Sequence, residues 1–289
     1  MNKQAVWFIV NPISGGKKKH QEIINLIDNQ LDKNIYIPKV YYTEYAGHAT
    51  EIAAEAVKNN IPMVVAIGGD GTVNEVGKAL INTKTALGII PTGSGNGLAR
   101  ELQIPLKPAK AIESLNTPVS KQIDVCYVND IPFFCTAGVG FDAHCAEIFS
   151  KKSGRGLWTY IKVAFAEFWK SEPLKCVFAG NDYEVFSITF GNASQFGNDA
   201  YITPTAVIDD GMIDCTIISP PSAFQALSMI SQLFNGNIHS SELSENYRGT
   251  KFKLQNEQNF LIHYDGEPLQ LPANELIISI SEKSLRVII

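Results

Sequence analysis

The chain has 289 residues, enough for two domains of ordinary size. At 45% hydrophobic and 18% charged it has the composition of a folded protein and not of a disordered one. Its formal net charge of −5 argues against a general nucleic-acid binder. Five cysteines (Cys126, Cys135, Cys145, Cys176, Cys215) form no C-x-x-C pair and are odd in number, which argues against a disulfide framework or a zinc site and for a reducing, cytoplasmic setting.

In chain order, the first third alternates strand and helix patterns. Ala5–Val10 is a short apolar run that reads as a strand buried on both faces, and it runs into Asn11-Pro12 rather than into a cleavage signal. Ile23, Ile24, Ile27 and Leu31 mark a helix, and Ile35–Tyr42 a second strand. Ala46–Asn60 has helical spacing, Met63–Ile67 is a third strand, Val73–Ile81 a helix and Ala86–Ile90 a fourth strand. Such alternation predicts a parallel sheet with helices on both faces. After about Thr117 the pattern changes. Ile123–Val128 and Phe133–Ala137 flank Asn129-Asp130, and Cys176–Ala179 and Tyr183–Phe190 flank Gly180-Asn181-Asp182, both as hairpins. Further strands are expected at Ile213–Ile218, Lys251–Leu254, Phe260–Tyr264, Leu276–Ile280 and Leu285–Ile289, with helices at Gly156–Lys170 and Ala223–Phe234. The predicted architecture is an N-terminal Rossmann-like α/β domain over residues 1–120 and a C-terminal antiparallel β-sandwich over 121–282, divided in the loop Asn116–Lys121. No segment approaches the ~18 apolar residues of a membrane-spanning helix.

Glycine-rich turns follow three of the parallel strands: Asn11-Pro12-Ile13-Ser14-Gly15, Gly68-Gly69-Asp70-Gly71-Thr72 and Pro91-Thr92-Gly93-Ser94-Gly95-Asn96. Parallel strands place all three at one sheet edge, where open α/β sheets bind ligands. Glycine lets a backbone approach a phosphate, and a following helix offers amides and a positive dipole end. Asp70 reads locally as a turn aspartate or a helix cap, with Thr72 a second candidate cap. Beside phosphates, its carboxylate would need Mg²⁺ or its waters to be favourable. Neither a P-loop nor a dinucleotide fingerprint is present.

These three segments, with Val73-Asn74-Glu75-Val76 after the second, resemble the diacylglycerol kinase catalytic family, which includes bacterial soluble lipid kinases, sphingosine kinases and ceramide kinases. The resemblance continues through Ala137-Gly138-Val139-Gly140-Phe141-Asp142-Ala143, Asp209-Asp210-Gly211-Met212-Ile213-Asp214 and Asp265-Gly266-Glu267-Pro268, and so spans nearly the whole chain. It implies an ATP- and Mg²⁺-dependent kinase that phosphorylates a hydroxyl of a membrane lipid. Asn11, Pro12, Ile13, Ser14, Gly15, Thr43, Gly68, Gly69, Asp70, Gly71, Thr72, Val73, Asn74, Ser94 and Gly95 would hold ATP, with Glu75 and Asn96 supporting the turns. Asp265 or Glu267 would be the general base, with Glu267 favoured. Read locally, Asp265-Gly266 is a type I′ hairpin turn. A structural Mg²⁺ is implied at the Asp210 carboxylate and the Val207 and Met212 carbonyls, with Asp124 ordering water and metal nearby, although Asp209-Asp210-Gly211 also reads as a plain turn. The final strand, 283–289, would return to the first domain.

Lys17 and Arg100 are candidate cations for the moving phosphoryl group, or else solvated surface charges. Ser94 and Gly97-Leu98 depart from the bacterial diacylglycerol kinases towards the sphingosine and ceramide kinases, which leaves diacylglycerol and sphingoid lipids both open. In Gly156–Lys170, the residues Leu157, Tyr160, Ile161, Ala164, Phe165 and Phe168 form one face, read as core. Trp158 and Trp169 lie off it near Lys151, Lys152 and Arg155, as suits an anionic membrane surface. The expected partners are the lipid substrate and a transiently contacted membrane, without nucleic acid, and a homodimer is compatible with the sequence. An NAD kinase is the rival enzyme, because it shares the second turn, and a lipid-binding protein without catalysis is the rival of another class.

Overall fold

A computed structural model of the chain describes residues 3–14, 17–152 and 157–289. Gly15 and Arg155, and the side chains of Lys17 and Trp158, lie outside what is described. The chain divides into two compact units, residues 1–123 with 283–289, and residues 124–282.

The first unit begins with β1 (Gln4–Val10), α1 (Lys17–Gln30), β2 (Tyr36–Tyr42), α2 (His48–Lys58), β3 (Met63–Gly68), α3 (Asp70–Leu80) and β4 (Ala86–Pro91). Short helices α4 (Gly97–Glu101) and α5 (Pro108–Ser114) follow. The strands form a parallel sheet in the order β2-β1-β3-β4. All six residues of β3 and all six of β4 are buried, as continuous apolar runs covered on both faces should be. Edge strand β2 is half-exposed. Helix α3 starts at Asp70, three residues before the expected Val73. Gly69 is extended at the N-cap and its carbonyl accepts the Val73 N–H at 3.1 Å, so the glycine turn itself winds into the helix.

The second unit holds most of β5 (Ser120–Val128), then β6 (Ile131–Phe133), β7 (Thr136–Gly140), α6 (Phe141–Ser150), α7 (Leu157–Phe168), β8 (Leu174–Phe178), β9 (Asn181–Val185) and β10 (Ser187–Gly191). After these come β11 (Ile213–Ile218), α8 (Ala223–Phe234), β12 (Ser244–Gly249), β13 (Lys251–Gln255), β14 (Phe260–Tyr264), β15 (Glu267–Leu271) and β16 (Glu275–Ile288). One sheet is antiparallel in the order β12-β11-β10-β7-β14-β15. Strands β13, β8 and β9 follow the first part of β16 in another. Phe133, Val139, Phe178, Phe190, Leu254 and Ile262 belong to one core built from strands of both sheets, and each such burial contributes roughly 1.5–3 kcal/mol. The end of β16 belongs to the first unit, where Val287 pairs with Leu87 in parallel.

Several boundaries differ from the sequence reading. The units divide at Asp124, three residues past Asn116–Lys121, because β5 already begins at Ser120 within that segment and runs across the division. The expected strand Phe133–Ala137 is two strands in different sheets, parted at Phe134-Cys135. Tyr183–Phe190 likewise changes sheet at Phe186, whose carbonyl accepts the Phe141 N–H. The two expected C-terminal strands are one, with Lys283 at φ 48° inside it. Among the described side chains of α7, Val163 is buried, while Phe165, expected on the core face, is 66% exposed; the side chains of Leu157 and Tyr160, expected on that face too, lie outside what is described.

Candidate active site

At the C-terminal edge of β1, β3 and β4 the three glycine turns are tied to one another. Asn11 opens the first: its Oδ1 accepts the Ile13 N–H at 3.0 Å and its Nδ2 donates to Thr72 Oγ1 at 3.2 Å. Ser14 Oγ lies 3.1 Å from Thr92 Oγ1, and the Thr92 N–H donates to the Gly68 carbonyl at 2.8 Å. The buried His20 contacts the Ser14 carbonyl through Nε2. Gly69 and Gly93 meet backbone to backbone: a side chain starting at Gly93 would lie 2.5 Å from the Gly69 Cα. Here glycine is required by close approach rather than by a positive φ. Ser94 is exposed at the tip of the third turn.

Asp70 joins the second turn to the third. Its Oδ2 accepts the Asn96 N–H at 2.9 Å and its Oδ1 the Gly97 N–H at 2.6 Å, so it caps α4 rather than its own helix. Burial raises the pKa of this carboxyl, while the two amides and Arg100 pull it back down. The side chain read as a neighbour of phosphate and metal therefore spends its two oxygens on the protein. Gly95 sits against it, where a side chain would meet Oδ2 at 2.7 Å. Arg100 donates from Nε to the Gly95 carbonyl at 3.1 Å, and Asn96 from Nδ2 to the Gly93 carbonyl at 2.9 Å, so both brace the third turn.

Gly71, Val73 and Asn74 lie in the first turns of α3, with Val73 and Asn74 buried. Glu75 faces α2 instead: its carboxylate accepts the Gly47 and Ala49 N–H groups at 3.0 and 3.2 Å. Thr43 continues from β2, its N–H donating to the Val10 carbonyl at 2.9 Å. Pro12 and Ile13 form the outer part of the first turn, where Ile13 is almost fully exposed. Lys17 opens α1.

In the second unit, Asp265 (φ 46°) and Gly266 (φ 83°) form the two-residue turn between β14 and β15, with the paired positive φ values of a type I′ hairpin. The Asp265 carboxylate accepts N–H groups from Phe134 at 2.9 Å, Cys135 at 2.7 Å and Thr136 at 3.3 Å. That is why β6 and β7 part at Phe134-Cys135: those amides serve a carboxylate instead of a ladder. Glu267, two residues on, is exposed.

Two residues had no role assigned from the sequence. Asp142, at the start of α6, accepts the Thr189 hydroxyl at 2.7 Å, and burial raises its pKa to about 6. His263 is buried on β14 opposite Gly138, its Nε2 has no hydrogen-bond partner, and burial lowers its pKa to about 4. Thr189, Gly138 and His263 stand side by side across β10, β7 and β14. Gly138 is small because a side chain there would meet the Ile188 carbonyl at 2.7 Å and His263 Nε2 at 2.9 Å. Asp142 lies in one of the quoted family segments, the available signal. His263 had none, since an isolated histidine in an apolar strand reads as packing.

The expected metal ligands are differently engaged. Asp210 Oδ1 accepts the Met212 N–H at 3.0 Å, and its Oδ2 is ion-paired with Arg248. Fully buried Asp124 accepts the Gly211 N–H at 2.7 Å. Val207 is half-exposed. A divalent ion at Asp210 thus meets a carboxylate already neutralised by a guanidinium, and the residues as arranged do not fit it.

Residues 5–128 match the family profile described as the diacylglycerol kinase catalytic domain, and residues 136–289 the one described as the YegS C-terminal NAD kinase beta sandwich-like domain. The chain belongs to the diacylglycerol kinase catalytic-domain family. Within it, a Pseudomonas aeruginosa (strain UCBPP-PA14) protein named "Probable lipid kinase YegS-like" is 30% identical over 83% of this chain and 81% of its own. An uncharacterized protein of Synechocystis sp. is 28% identical over 93% of this chain, which spans 64% of that longer protein. Among solved structures, a diacylglycerol kinase from Bacillus anthracis superposes with a TM-score of 0.71, covering 99% of this chain and 97% of that one. At 19% identity this likeness shows the fold alone.

Proposed function

We propose that the protein is an ATP-dependent lipid kinase that transfers a phosphoryl group to the hydroxyl of diacylglycerol or a related sphingoid lipid, giving a phosphomonoester such as phosphatidic acid. The observation that carries this reading is the interlocked set of turns at the edge of β1, β3 and β4, a backbone-lined rim held by Asn11–Thr72, Ser14–Thr92 and Asp70–Asn96 contacts. Phosphoryl transfer depends mostly on positioning and electrostatics. Asn11, Ser14, Thr72 and Ser94 offer the triphosphate polar groups, and the N-terminus of α3 offers amides and a positive dipole end. Mg²⁺, brought with the nucleotide, would offset the charge of the phosphates. Arg100 fixes the third turn, and Asp70 is a positioning residue that holds two turns in register.

Glu267 takes the proton from the lipid hydroxyl. Asp265 positions it, because its own oxygens are committed to three amides while Glu267 is exposed. The lipid would be met at the bilayer surface, since no described helix is long and apolar enough to cross a membrane. Helix α8 carries no charged residue and buries none of its side chains, and its Phe224 is 88% exposed. Phe165 on α7 and Trp169 just beyond its end are exposed beside Lys162 and Lys170, which suits an anionic lipid surface.

The deciding experiment incubates the protein with labelled ATP, Mg²⁺ and mixed micelles holding diacylglycerol, sphingosine or ceramide, with NAD as a separate acceptor. Label entering one of the lipids supports the reading. Label entering NAD alone, or no acceptor at all, overturns it.

A further inference from the structure

The loop that carries Asp210 is fastened at several points within the second unit. Thr205 Oγ1 donates to Asp214 Oδ1 at 2.6 Å, Asp124 accepts the Gly211 N–H, and Asp210 accepts the Met212 N–H. Gly211 adopts φ 73°, a left-handed conformation that glycine takes readily. Arg248 lies on β12 directly across from Asp214 on β11. Its guanidinium reaches both carboxylates, pairing with Asp210 through Nη2 and lying 3.4 Å from Asp214 Oδ2 through Nε. The Asp214 side chain is only 8% exposed, so its charge has little water to lean on.

We infer that Arg248 takes the place of a structural divalent cation in this loop, so that the fold of the second unit is stapled by an internal guanidinium and is independent of Mg²⁺ or Ca²⁺ at Asp210. The charge arithmetic favours this arrangement. A guanidinium presents a planar fork of donors that can serve two carboxylates at once. A divalent ion seated at Asp210 would stand next to that cation. Like charges placed that close repel, and a divalent ion doubles the charge product relative to two unit charges. Relief would require Arg248 to swing away, leaving Asp214 buried without its counter-ion. Mg²⁺ also sheds its waters reluctantly, so it gains little from a site whose best carboxylate is already engaged. The inference concerns folding alone and does not depend on the lipid-kinase reading.

Thermal unfolding of the full chain without nucleotide or lipid tests it. The midpoint should be the same in EDTA and in millimolar MgCl₂ or CaCl₂. Arg248→Gln should lower the midpoint in EDTA by roughly 2–8 °C, and Arg248→Lys, a point charge without the fork, should restore only part of the loss. A wild-type midpoint that rises with either cation, with the rise abolished in Asp210→Asn, would overturn the inference. So would an Arg248→Gln protein as stable in EDTA as the wild type. Far-ultraviolet dichroism of each variant distinguishes a lowered midpoint from failure to fold.

Discussion

Gly93 packs its backbone on that of Gly69, with room for hydrogen alone: a methyl carbon on Gly93 would stand 2.5 Å from the Gly69 Cα and 3.0 Å from Asn96 Oδ1. Gly93→Ala should therefore push the third turn off the second, at the ~1–3 kcal/mol typical of overpacking. Nucleotide affinity should fall more than stability, because the rim lies at the edge of an otherwise intact sheet. Calorimetric ATP titration beside a melting curve checks this. Unchanged affinity would mean that the turns need not touch.

Asp70→Asn keeps one acceptor for the amides of Asn96 and Gly97, whereas Asp70→Ala leaves both without it. The alanine variant should lose ~1–3 kcal/mol, the cost of unsatisfied buried groups, and the asparagine variant less. Both should weaken ATP binding, in the same order. A direct metal ligand would behave differently: the two variants would lose Mg²⁺-dependent binding equally and retain stability.

The acidic hairpin separates support from chemistry. Asp265→Asn weakens an acceptor that serves Phe134, Cys135 and Thr136, and should lower the melting temperature. Exposed Glu267→Gln should leave the melting temperature unchanged and reduce lipid phosphorylation by ~10²–10⁴-fold, the usual worth of a general base. Denaturation curves and turnover assays on the two proteins should show opposite patterns.

Asp142 and His263 should give opposing pH dependences. The folded pKa of Asp142 is raised to about 6 from an ordinary 3.8, so its contribution to stability is full below 3.8 and is lost as pH rises through 6. That of His263 is lowered to about 4 from 6.5, so its contribution is full above 6.5 and is lost as pH falls through 4. Near pH 5 the two nearly cancel. In Asp142→Asn, stability should rise between pH 4 and 6 more steeply than in the wild type, by up to ~1.4 kcal/mol per pH unit. In His263→Gln it should fall by a similar amount. Urea midpoints across this range test both signs.

If α8 and the exposed face of α7 meet the membrane, Phe224→Ser with Trp169→Ser should reduce sedimentation with anionic vesicles several-fold. ATP binding should be unaffected. Equal co-sedimentation of variant and wild type would remove these helices from the membrane contact.

The parallel sheet was legible because β1, β3 and β4 are unbroken apolar runs and their glycine turns punctuate them. The three turns could be placed at one edge for the same reason. What could not be read were partners distant in sequence. Nothing near Asp70 announces that it serves Asn96 and Gly97, and nothing near Phe134 announces Asp265, 131 residues away. The sheet changes at Phe134 and Phe186 were hidden because alternation reports which face a residue takes, not which sheet its strand joins. Strand β12 escaped notice because Ser244–Gly249 is polar and mostly exposed, held by pairing with β11 rather than by an apolar run. On α7, helical periodicity placed Phe168 on a face that packs on buried Phe186, but it also placed there Phe165, which is apolar without being core.

The parallel pairing of Leu87 with Val287 sets a timetable for synthesis. The outer edge of β4 is finished two hundred residues before the strand that covers it, an interval of roughly 10–40 s at ordinary translation rates. Throughout that time a fully apolar strand exposes an unmatched row of amides and carbonyls to any other nascent chain. Loss of the last seven residues would make that vulnerability permanent, so even a short C-terminal truncation should send the protein to inclusion bodies while every residue of the proposed site is still present.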